Sequence, residues 1–489
     1  MYEWLAINSP ADLAQLKNLI PGEYEPAKVA DKLAIGISGA VKGVLIERYY
    51  VDKDYRSTYY NFYSKMGMRY RTDCIRLHFF DETVSFEQPL HRLRWSGSPN
   101  PLQDHYFGFM VLRPTGIATI GRSVVSPDVR SGCSGFIVSA KHKVHLLGYT
   151  LTVEGFPSMD QHIDIAVCAH VACWAILRHY SERYFTYCEF LTHDITMMAQ
   201  HFDPGGLVPS RGLQVSHAER VFQEAGTFPV HVTRSKSPSG AAVDGSFYRQ
   251  LGAYLESAFP LFAAMHDKRH AVAVVGYEWR QRVSPRNGGV RYAWDEVESI
   301  VVVDDNHLPY LSVSATAGSP YSAQDIDAFI VALPEKVFYP ADAVDKLEPA
   351  LFKFGALLGL PAREDTILRY FITTGSALRR FVREHESEFD PKLVDAVMVL
   401  PLAQFVWIVE FATEAQWSAG RITARAIIDA TASLRDPTPL WLFHGQTTAI
   451  VFDRQKPNDF NGVGVLALSD PGHAGFSRMV QNLRSTQTK

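Results

Sequence analysis

The stretch from Met159 to Tyr180, MDQHIDIAVCAHVACWAILRHY, constrains this chain more than any other segment. A polar loop carrying Gln161 and Asp164 leads to a thiol at Cys168. Beyond it Val171, Ala172, Ala175, Ile176 and His179 recur at helical spacing, which predicts one long apolar-faced helix with Cys168 close to its first turn. A thiol at such a place meets unpaired backbone N–H groups and the positive end of the helix dipole. Both favour the thiolate, which is the nucleophilic form. Taken alone, a cysteine in an apolar run is also read as a small buried hydrophobe.

A second stretch about a hundred residues on shifts that balance. KRHAVAVVGY, Lys268 to Tyr277, reads as an apolar strand opened by His270, so the imidazole can project from the rim of a sheet. The next apolar run, ESIVVVDDNH, ends in acid, and Asp305 there can hold one imidazole nitrogen while the other faces a thiol. The order Gln, Cys, His, Asp, with HAVAVVGY as its most specific part, resembles the papain-like cysteine peptidases. The thiol-bearing helix, the Gly-rich middle and the VVDDN ending are most similar to the bacterial double-glycine leader peptidases and their relatives. The likeness covers roughly residues 156 to 335. It implies Cys168 as nucleophile, His270 as base, Asp305 as the orienting carboxylate and Gln161 as an oxyanion donor.

The chain departs from that pattern in three places. Cys168-Ala169-His170 stands where the family has Cys-Gly-Pro. The span from His270 to Asp305 contains VSPRNGG, an extended loop. Cys173-Trp174-Ala175 mimics the Cys-Trp-Ala of papain, which leaves Cys173 as a second candidate nucleophile, although it lies five residues farther into the helix. Asp304 is likewise the alternative to Asp305, which strand alternation favours because it shares a face with Val301 and Val303. A metal site built from Cys168, His170, His266 and His270 is a further possibility, with His266 and His270 flanking a tight turn rather than one helix face.

The acidic balance, a formal charge of −4, gives no reason to expect nucleic acid or anionic membrane as the main partner. The Tyr55, Tyr59, Phe62 and Tyr63 segment, interleaved with Arg56, Lys65, Arg69 and Arg71, has the makings of a base-stacking surface. An amphipathic helix packing its tyrosines on a sheet explains it better. RSGCSGF around Cys133 reads as a tight turn. Five cysteines without a C-x-x-C motif suit a reducing compartment. The first residues lack a basic and an apolar signal region, and no run reaches the ~18 apolar residues of a membrane helix. The expectation is a cytoplasmic protein that needs no cofactor or metal and acts on a protein or peptide substrate.

The remaining organisation follows from local pattern. Residues 1–150 read as an α+β domain: VKGVLIERYYV is a strand, CIRLHFF a half-buried strand, and YFGFMVLRP with GIATIGRSVV a later pair. Residues 151–338 form the peptidase-like domain, helices first and an antiparallel sheet second. Within it DPGGLVPSRGL is a Gly/Pro loop, and VSHAERVFQEAG is a helix with a capping box at Ser216 and Glu219 and a stop at Gly226. PLFAAM and the histidine strand form a hairpin through HDKR. Residues 339–489 read as a third, α+β domain, in which DTILRYFITTGSALRRFVREH is helical with Ile367, Tyr370, Phe371 and Leu378 on one face. The fold class is therefore α+β, a papain-like core flanked by two more α+β domains. The function that fits is a cysteine peptidase or isopeptidase working through a thioester. The alternatives are an acyltransferase with the same triad and a catalytically silent papain-like scaffold that binds partners.

Overall fold

The computed structural model describes residues 2–65, 67, 69–81, 100, 102–161, 168–199, 213–235, 245–281, 283, 288–334, 336–436, 439–453, 463–469, 472, 474–479 and 484–485. Asp164, most of the Gly/Pro loop after residue 200 and the centre of VSPRNGG lie outside the described residues. Among the described residues the chain is mixed α+β, built on three large sheets in which all but one pairing is antiparallel.

The first sheet runs Tyr2–Ala6, Gly43–Tyr50, Cys74–Phe80, Tyr106–Leu112, Ile120–Val125, Tyr149–Ser158, Ala140–Leu146 in spatial order. The helix Pro26–Gly36 belongs to the same region of the chain and buries Val29, Ala30 and Leu33. CIRLHFF is a strand as expected, but all seven residues are buried rather than alternate ones. Its polar members have partners that make this possible: Arg76 Nε donates to Glu47 at 2.7 Å, and His78 Nδ1 lies 2.9 Å from the Tyr106 hydroxyl.

The second sheet runs Leu311–Ser314, Val297–Val303, His270–Trp279, Leu261–Met265, Ala328–Leu333, Phe228–Thr233. Phe136–Ile137, arriving from the first region, adds to the His270–Trp279 strand opposite Gly276 and Tyr277. There a Cβ on residue 276 would stand 2.4 Å from the Phe136 carbonyl oxygen, so only glycine fits. Four helices precede the sheet's main hairpin: Cys168–Arg183, Thr192–Ala199, Val215–Glu224 and Gly245–Glu256. Val215–Glu224 is capped by Gln214 and His217, two residues earlier than Ser216 and Glu219, and it stops at Gly226 with φ +85°.

The Cys168–Arg183 helix packs against strands of both sheets, and every residue from Ala169 to Tyr180 is buried. A helix apolar all round has no face left for water, so its few polar groups need partners. Asp54 supplies two of them, accepting from Trp174 Nε1 at 3.0 Å and from Arg178 Nη2 at 2.9 Å. Glu189 pairs with Arg178 as well. His179 stacks on Phe156 with ring centroids 5.0 Å apart.

The third sheet runs Arg291–Tyr292, Ile367–Thr374, Phe405–Ala412, Ala424–Asp429, Leu440–His444, Thr448–Phe452, Val463–Ala467. Here the helical expectation for DTILRYFITT is corrected. Ile367–Thr374 is a strand paired residue for residue with Phe405–Ala412, and only Gly375–Glu384 is helical. β-Branched Ile367, Ile372, Thr373 and Thr374 suit the pleated surface, and a short apolar run matches either period. Among the described residues, no helix is long and apolar enough to cross a membrane.

Candidate active site

Cys168 is the first residue of its helix and is half-buried, whereas Ala169 and His170 behind it are buried. His270 is the first residue of its strand. Met265 pairs with His270 across the hairpin, and Arg269 turns the chain with φ +50°, so the imidazole stands at the sheet rim. The strand Val297–Val303 runs antiparallel beside it with Val303 opposite Ala273. Chain leaving Val303 is thereby carried toward His270, and Asp304 and Asp305 follow at once.

These elements bring together groups far apart in sequence. The Cys168 thiol is near enough to the His270 imidazole to raise its affinity for a proton. His270 Nε2 stands 3.0 Å from Asp304 Oδ2 and 3.9 Å from Asp305 Oδ1. The Nε2 contact is close rather than straight: no aligned hydrogen bond forms, so charge at 3.0 Å carries the attraction more than bond geometry does.

Asp304, not Asp305, is thus the carboxylate nearest the ring. The expectation for Asp305 rested on alternation along a strand, but the strand ends at Val303 and both acids sit in the turn beyond it. Turn geometry, not pleat, decides which one faces the ring. Asp304 is also the better held of the two. Its Oδ1 accepts from the Asn306 backbone N–H at 2.9 Å, and its Oδ2 accepts from the Tyr321 hydroxyl at 2.6 Å. Asp305 Oδ1 accepts from Asn306 Nδ2 at 3.2 Å, while its Oδ2 is buried with no hydrogen-bond partner among the described residues.

The charges follow from this arrangement. Burial alone would push His270 toward its neutral form. The close contacts with Asp304 and with Cys168 reverse that and raise its pKa to about 10. Burial acts upward on Asp304 too, but His270, Tyr321 and Asn306 outweigh it and hold the carboxyl well below the usual range. Asp305 goes the other way: burial, and then the neighbouring Asp304 charge, raise it to about 7 despite His270. One acid of the pair is therefore a firm carboxylate and the other keeps a proton near neutrality.

Cys173 is fully buried, and burial followed by the nearby Cys168 drives its pKa upward, which makes it a core thiol. Gln161 is half-buried, and among the described residues it makes no hydrogen bond to Cys168 or His270. The metal set weighed from the sequence is not assembled: His170 is buried inside the thiol helix. Among the described residues, His270, Asp304 and Asp305 are the group whose ligand atoms lie within 4.8 Å of one another. A protonated imidazole beside Asp304 answers the same charge that a cation would. Tyr321 and Asn306 were missed from sequence. Asn306 had its place in VVDDN as a signal, whereas Tyr321 had none. The chain matches no protein-family model, and a search of curated proteins finds no similar one.

Proposed function

We propose that this protein is a papain-like cysteine peptidase or isopeptidase acting on a protein or peptide substrate. What supports the reading above all is one juxtaposition: a half-buried thiol at a helix start, near an imidazole that also meets a buried carboxylate. A described thiol-bearing helix ahead of the sheet's main hairpin, with the histidine on the sheet rim, supports the same reading.

In this reading Cys168 thiolate attacks the acyl carbon and a C–S bond forms as the carbonyl π pair moves to oxygen. The Cys168 backbone N–H and Gln161 are the donors assigned to that oxyanion. As the tetrahedral species collapses, the C–N bond breaks and His270 gives its proton to the departing amine. Water then attacks the thioester with His270 taking its proton, and the acid leaves as the thiolate returns. Asp304 keeps the ring oriented throughout and stabilises it whenever it carries a proton, with Tyr321 fixing the carboxylate.

The test is selective labelling followed by substrate identification. Iodoacetamide should alkylate Cys168 faster than the other thiols, and His270→Ala should remove that advantage. Comparing proteins cleaved by the intact chain with those cleaved by Cys168→Ala identifies substrates by mass spectrometry. Equal alkylation of Cys168 and the exposed Cys188, with no Cys168-dependent cleavage, would remove the reading.

A further inference from the structure

The segment that delivers Gln161 is held both by its sheet neighbour and from beyond it. After the Tyr149–Ser158 strand, the Asp160 backbone N–H donates to the Ile120 carbonyl at 2.9 Å. The Asp160 carbonyl accepts from Arg113 Nη2 at 3.1 Å. The Asp160 carboxylate, 9% exposed, receives Lys32 Nζ at 3.1 Å on both oxygens. Lys32 comes from the Pro26–Gly36 helix, 128 residues away in sequence. Three contacts thus fix the residue immediately before Gln161.

We propose that Lys32 is a positioning residue for the acyl chemistry at Cys168: by clamping Asp160 it fixes the segment that carries Gln161 to the oxyanion. The proposal rests on the peptidase reading and extends it. A buried carboxylate without its cation is costly, so the chain around Asp160 would move or take up a proton once Lys32 were lost. Burial already pushes the Asp160 carboxyl upward, and Lys32, then Arg113, oppose it. Arg113 meets Asp160 at its carbonyl through Nη2, which also donates to the Ala118 carbonyl, whereas Lys32 meets the carboxylate itself. Lys32 itself is one-third exposed, so removing it should cost the global fold little while loosening this one segment.

Two reactions of Cys168 separate positioning from general support. Acylation by p-nitrophenyl acetate forms a C–S bond, expels p-nitrophenolate and passes through an oxyanion. Alkylation by iodoacetamide displaces iodide and has no oxyanion. Lys32→Met and Asp160→Asn should each slow acylation by about tenfold to a hundredfold, somewhat less than deletion of an oxyanion donor. Alkylation should stay within about twofold, and Lys32→Arg, which keeps the cation, should recover most of the acylation rate. Acylation within about twofold of the parent in Lys32→Met, or a parallel fall of both reactions, overturns the proposal. Failure of the underlying peptidase reading is visible separately, in the parent protein, as the absence of any Cys168-dependent acylation.

Discussion

The most discriminating perturbation is Asp304→Asn set against Asp305→Asn. Asp304→Asn keeps the side-chain shape and removes the charge that stands 3.0 Å from His270 Nε2. Burial disfavours the imidazolium, and Asp304 with Cys168 reverses this, lifting the pKa from 6.5 to about 10. That rise corresponds to about 5 kcal/mol in favour of the charged ring. Two partners share it and the ring keeps some contact with solvent, so about 2 kcal/mol falls to the Asp304 charge. Asp304→Asn should therefore lower the His270 midpoint by about 1.5 pH units. Asp305, at 3.9 Å and without a hydrogen bond to the ring, should lower it by less than about half as much. The assay is NMR titration of ¹³Cε1-labelled histidine, with the His270 signal identified by its loss in His270→Gln. The sign for stability is fixed as well. A folded-state pKa above the unfolded value gives stabilisation fully present below about pH 6.5 and lost as the pH rises through about 10. A larger fall in Asp305→Asn than in Asp304→Asn would refute the assignment of the partner.

Four further outcomes are expected. Cys168→Ala should abolish the fast iodoacetamide reaction while Cys173→Ala, a change at a fully buried thiol, should leave it; peptide mapping of the adduct decides. Asp54→Leu should cost about 3 kcal/mol, because it strips Arg178, 2% exposed, of one carboxylate and orphans the Trp174 N–H. Urea unfolding followed by tryptophan fluorescence measures it, and a loss below about 1 kcal/mol would mean that Glu189 suffices. Burial lowers the pKa of His78 to about 4 and those of His142 and His444 to about 3, so these rings fold neutral. Stability should be present above about pH 6.5 and fall as the pH drops toward 4, by roughly 3 kcal/mol from His78 alone, which thermal melts across that range would show. Gly276→Ala should destabilise by more than about 1 kcal/mol because its Cβ meets the Phe136 carbonyl, and a wild-type melting curve would exclude that clash.

What the sequence made legible was whatever local period and spacing could encode. The thiol helix, the Leu261–Met265 and His270–Trp279 hairpin and the strand ending ahead of two acids all follow from runs of a few residues. The choice between Asp304 and Asp305 did not, because the alternation rule lapses where the strand stops at Val303. Ile367–Thr374 was misread because its apolar residues fit a helical face until the Phe405–Ala412 strand is known to lie beside it. The burial of both faces of Cys74–Phe80 depended on Glu47 and Tyr106 as partners for Arg76 and His78. Tyr321 and Lys32 reach their acids across 17 and 128 residues, and no local pattern announces a single long-range hydrogen bond or ion pair.

The closure of the thiol helix on all sides has a consequence for how this chain can be taken apart. Asp54 and Lys32 from the first region grip the helix and the segment before it, and Tyr310 bridges back to Val125 and Phe156. A fragment cut at residues 156 and 335 would keep Cys168, His270 and Asp304 yet leave Trp174 without its acceptor, Arg178 without one of its two carboxylates and Asp160 without its lysine. Such a cassette could not be grafted onto another protein, or exchanged between relatives, without the sheet that precedes it. Whatever the first sheet does for recognition, it travels with the chemistry as one heritable piece.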